Sequence, residues 1–128
     1  MDTLASRRTA IRAAAAQTLE HCPYHADRRI DVSTGATSLT QALILAAGGA
    51  VGAGHAWANE PEESAARACL HEVARQLLAE LGMVVPSGMS PCRALARWER
   101  KTADPAAAYR LVGAHPAASH HFRLPTAA

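Results

Sequence analysis

Aromatic side chains are nearly missing from this chain, with 2 Trp, 2 Tyr and 1 Phe among 128 residues. That excludes a core built on large rings and points to thin, closely spaced helices. Lysine is scarcer still: Lys101 is the only one, and arginine supplies every other full positive charge. Neither sign of charge dominates. Thirteen Lys and Arg against eleven Asp and Glu leave a formal +2, too little to argue for nucleic acid or a membrane surface. Cysteine stops at three, Cys22, Cys69 and Cys92. An odd set of this size excludes a disulfide framework and suits a reducing cytoplasm. No apolar run approaches the roughly 18 residues of a membrane span. "SRRTAI" near the start resembles a twin-arginine export signal, but Arg12, Gln17 and Glu20 interrupt the apolar stretch such a signal needs. The expectation is a chain that is neither exported nor membrane-bound.

Alanine is what the chain has in abundance. Hydrophobic residues make up 49% of it, yet 31 of them are Ala, which favours helix while burying little area. So light a core raises the prospect that another subunit completes it.

The helices can be placed from spacing and caps. A first helix is expected over Thr3–His21, with Leu4, Ile11, Ala15 and Leu19 on one stripe and Pro23 as the stop. Residues 24–37 read as an irregular loop. Ser38 with Gln41 three residues later is a capping box, so a second helix runs to Ala47 and ends at Gly48-Gly49. It is apolar on almost every side, as suits the middle of a domain or a subunit interface. A glycine-rich connection follows. The next helix is expected from about Glu60 to Leu81, capped by Asn59 and buried along Ala66, Leu70, Val73, Leu77 and Leu81. Arg67, His71 and Arg75 share another face, which the pattern makes wet. Ser90-Pro91 and Asp104-Pro105 open two short helices, to about Lys101 and Val112. The fold class is therefore all-α: a compact single-domain bundle of about five helices in residues 1–113, with 114–128 as a loose tail or arm.

Chemistry is harder to find. "HCPYH" at residues 21–25 clusters His21, Cys22 and His25, but no second ligand pair has zinc spacing, and the stretch reads as a helix end. Neither a metal site nor a cofactor is expected. Cys92 lies in the first turn of a helix, where the dipole lowers a thiol pKa, but no histidine is fixed beside it by spacing. "GGAVGAG" follows a helix and lacks a Gly-Lys-Ser/Thr, so it is no phosphate loop. It can line a pocket, for which His55, Trp57, His25, Asp27 and Asp31 are the candidate residues.

With the helices in place, "TQALILAAGG" (Thr40–Gly49), "LLAELG" (Leu77–Gly82) and the lone Trp98 in "WER" resemble an uncharacterised family of small actinobacterial all-helical proteins. The likeness spans roughly residues 9–113. It implies an all-α fold and carries no catalytic residues.

Three function classes remain. The first is a small helical subunit, not catalytic alone, that binds and completes a partner protein, plausibly an enzyme of specialised metabolism. Its apolar contact would come from Leu39, Leu43, Ile44 and Trp57, with Arg93, Arg97, Arg100 and Lys101 steering an acidic partner. The partner is another protein or, as second choice, a copy of the same chain. The second is a small cofactor-free enzyme or ligand binder using the glycine-rich loop. A nucleic-acid-binding regulator ranks last, since the rest of the chain balances the charge of the basic helix.

Overall fold

The chain begins as a 19-residue helix, α1 (Thr3–His21), ended by Pro23 as its sequence requires. The computed structural model describes residues 3–26, 35–51 and 58–115. Past α1, Tyr24 and Thr37 form an isolated parallel bridge. The His25 amide donates to the Thr37 carbonyl, and the Thr37 amide to that of Pro23, both at 2.9 Å. The two ends of the loop after α1 are thus fastened together. The helix α2 (Leu39–Ala46) starts two residues after Thr37, its Ser38 hydroxyl accepting from the Gln41 amide.

The polypeptide then departs from the expected pattern. A two-stranded antiparallel ribbon pairs β1 (Ala50–Val51) with β2 (Ala58–Asn59), placing Ala50 opposite Asn59. Asn59 is therefore a strand residue instead of the cap of the following helix. That helix, α3 (Ser64–Glu80), starts four residues later than the spacing predicts. Pro61 provides the reason, since it disfavours the α conformation at Glu60 before it. The helices α4 (Pro91–Thr102) and α5 (Pro105–Val112) begin as expected, capped by the side chains of Ser90 and Asp104.

One core holds the five helices. In it α1 packs on α2, α3 and α5, while α4 packs on α2 and α3. Ile11, Ala15 and Leu19 of α1 are buried in it with Leu70, Val73 and Leu77 of α3 and Leu95 of α4. Alanines at Ala15, Ala42, Ala74 and Ala108 are almost wholly buried, as close helix approach demands. Among the described residues the architecture is all-α apart from the ribbon. No helix among the described residues is long and apolar enough to cross a membrane. Ala114 is buried and the His115 amide donates to Glu20 at 2.7 Å, so the body reaches two residues into the segment expected to be a tail. The remainder of that segment lies outside the described residues.

Candidate functional site

Leu39, Leu43 and Ile44 are each at most 1% exposed, packed in the chain's own core. This corrects the expectation that they offer an apolar contact to a partner. An all-apolar helix signals burial, and here its own bundle supplies the cover. Among the candidate pocket residues, Asp27, Asp31, His55 and Trp57 lie outside the described residues. His25 is exposed at the loop after α1 and lines neither hollow described below.

The basic candidates keep their place. Arg93, Arg97, Arg100 and Lys101 are all exposed on the outer side of α4, and none joins an ion pair among the described residues. Beside them the connection from α3 to α4 folds over to leave a groove of about 260 Å³. Met83, Val84, Pro86 and Met89 line it from the connection and Trp98 from α4, while Arg97 and Lys101 add two positive charges. Val84 is 87% exposed, the most uncovered large apolar side chain in the described chain. The groove is soft as well as apolar, since two of its walls are methionines.

The inner side of α4 carries Glu99, 1% exposed. One carboxylate oxygen accepts from the Leu39 amide and the Tyr24 hydroxyl, both at 2.6 Å. The other accepts from the amide and hydroxyl of Thr40 at 3.0 and 2.8 Å. Glu99 thus caps the N-terminus of α2 from 60 residues away. Burial pushes its carboxyl above the usual carboxylate range, and the donated hydrogen bonds act in the opposite sense. Burial, followed by the nearby Glu99, holds the Tyr24 hydroxyl proton firmly in place. The group is a structural tie between α2, α4 and the loop after α1, shut away from solvent.

A second cluster joins three elements that spacing keeps far apart. Glu60 follows β2, His71 lies within α3, and Cys92 is the second residue of α4. His71 Nε2 and Glu60 Oε1 are 2.6 Å apart, and their side chains are 23% and 20% exposed. The Cys92 sulfur completes a trio of donor atoms all within 4.8 Å of one another. Cys92 itself is 1% exposed. His71 was expected on a wet face; Glu60, held just outside α3 by Pro61, partly covers it. Neither the 11-residue nor the 21-residue separation carries a motif, so only the fold brings the three together.

Glu60 also borders a hollow of about 300 Å³ at the ribbon, lined by Gly48, Gly49, Ala50 and Val51 opposite Asn59, Glu60, Pro61 and Glu62. Of the glycine-rich stretch, residues 48–51 border this hollow, and residues 52–57 lie outside the described residues. Gly49 is required there: a Cβ on it would stand 2.3 Å from the Asn59 carbonyl oxygen and 2.8 Å from that of Ile44. Gln41, fully buried nearby, accepts from the Ala58 amide at 2.7 Å and leaves its own amide nitrogen without a partner among the described residues.

No protein-family model, curated protein sequence or solved structure matches the chain.

Proposed function

We propose that the chain is a small helical accessory protein that docks on a partner protein through the Met83–Trp98 groove and the basic side of α4. One observation carries this reading: a solvent-open apolar groove takes in Arg97 and Lys101, and the four cations on that side of α4 have no acidic partner among the described residues. The matching occupant is an amphipathic segment whose apolar side chains enter the groove and whose Asp or Glu residues meet Arg97 and Lys101. Work in the cytoplasm belongs to the same proposal and is supported by the small, odd number of cysteines, three in the chain. Service to an enzyme of specialised metabolism is part of it too.

A photo-crosslinking amino acid at position 84, introduced in the producing cells, tests the docking. The expected adduct is a single protein, cross-linked within a peptide that mixes apolar and acidic residues. It should vanish when Arg97 and Lys101 are both changed to Glu. An adduct indifferent to that charge reversal contradicts the reading.

The hollow at the ribbon favours a second reading, a binder of a small molecule at the glycine-rich stretch. Its lining among the described residues is largely backbone and small side chains, with Glu60 and Glu62 as the only charges there. A small cation or a hydrogen-bond donor suits it better than an anion.

A further inference from the structure

Glu60, His71 and Cys92 offer one carboxylate oxygen, one ring nitrogen and one sulfur, all within 4.8 Å of one another. We propose that this trio is a binding site for a divalent transition metal, zinc in the first instance, with a fourth position left for water or a small molecule. Three arguments lead there, independently of the docking groove.

The donor set is one that zinc accepts, and Cys, His and carboxylate all occur as its ligands. Around tetrahedral zinc, donors about 2.0–2.3 Å from the ion stand roughly 3.4–3.6 Å from one another. The trio's widest separation is at most about 1 Å above that, and the 2.6 Å His71–Glu60 contact is about 1 Å below it. Differences of about 1 Å are of the size that side-chain torsions can take up.

Charge balances as well. A thiolate, a carboxylate and a neutral imidazole bring two negative charges to a divalent cation, so a half-buried site ends neutral and avoids the cost of an uncompensated buried charge. On binding, the Cys92 S–H bond breaks and its proton passes to solvent; the proton shared by His71 Nε2 and Glu60 Oε1 also leaves, to solvent or to the other ring nitrogen, so that sulfur, nitrogen and oxygen each give an electron pair to the metal.

Access separates a metal from the main alternative. Sulfur, imidazole and carboxylate in this order also suggest a thiol nucleophile with its base and orienting acid. At 1% exposure, however, Cys92 gives a substrate carbon no line of approach. An ion needs much less room, and it can enter beside the partly exposed Glu60 and His71. Because Glu60 also lines the 300 Å³ hollow, the open coordination position would lie beside a cavity that can hold a small ligand.

Titration of the reduced, metal-free full chain with cobalt(II) tests the site. One equivalent should give a thiolate-to-cobalt charge-transfer band and tetrahedral d–d bands, both displaced by zinc(II). Cys92→Ser should abolish the charge-transfer band, whereas Cys22→Ser and Cys69→Ala should leave it intact. His71→Gln and Glu60→Gln should each weaken zinc binding at least about a hundredfold, ligands counting for no less than their supporting shell. These two positions are partly exposed and give an answer even if Cys92→Ser does not fold, with circular dichroism as the check. A folded wild-type chain without the band overturns the proposal. So does a band that survives Cys92→Ser, or zinc affinity unchanged in both His71→Gln and Glu60→Gln.

Discussion

Glu99 shows what one side chain holds together. Its two oxygens take four donors, from Tyr24, Leu39 and Thr40, and no other residue links α4 to the start of α2 by so many hydrogen bonds among the described residues. Removing it leaves two helix-start amides and two hydroxyls without an acceptor in a dry place. A single unsatisfied buried group costs roughly 1–3 kcal/mol. Glu99→Ala is therefore expected to lower unfolding free energy by about 3 kcal/mol or more, read from urea denaturation. The same residue sets a pH signature. Burial raises its folded pKa above the ordinary 4.5, so the folded chain holds the proton to higher pH than the unfolded one. Stability from this group is fully present below the unfolded value and is lost as pH rises through the folded value. The stability gap between wild type and Glu99→Gln should accordingly narrow upward from pH 4.5. A gap that widens over this interval would reverse the sign assigned to Glu99. Its position is legible in the sequence, seven residues after Cys92 and four after Leu95, on the apolar stripe opposite the arginines. Its role is not, because the four donors come from residues whose proximity only the fold creates.

Among the elements, α4 divides its labour between two sides. Cys92, Leu95 and Glu99 face inward, while Arg93, Arg97, Arg100 and Lys101 face solvent. Both stripes follow from helical spacing, and so does the start of the helix at Ser90-Pro91. The ribbon between α2 and α3 was not legible. Two-residue strands leave no alternation to read, and the acidic run Glu60–Glu63 imitates the first turn of a helix that Pro61 in fact delays. Gly49 marks that ribbon physically. Gly49→Ala drives a methyl into two backbone carbonyls and should cost about 1–3 kcal/mol, visible as a lower urea midpoint. At the other end of the scale, Asp104 only accepts from the Ala106 amide at an exposed cap. Asp104→Ala should cost about 1 kcal/mol.

At the scale of the molecule, the expectation of a light core and the burial of α2 meet in an unforeseen way. Leu39, Leu43 and Ile44 lie in the chain's own interior, and the most exposed apolar side chain of the described residues, Val84, lies instead in the α3–α4 connection. Sequence alone picks out the arginines of that surface, since charges at helical spacing stay on one side wherever the helix packs. It cannot pick out Val84 or Met83, whose exposure depends on how a ten-residue connection crosses α4. Docking governed by Arg97 and Lys101 should also slow as salt rises, because the exposed cations act over roughly 10 Å at moderate ionic strength.

The central claim is that this surface binds a protein partner. Native mass spectrometry of the chain purified from its own producing cells tests it most directly, with Val84→Asp/Arg97→Glu, two exposed positions, run beside the wild type. A stoichiometric complex for the wild type and a bare monomer for the folded variant are the predicted pair. A bare wild-type monomer, or a complex that persists in the variant, would contradict it.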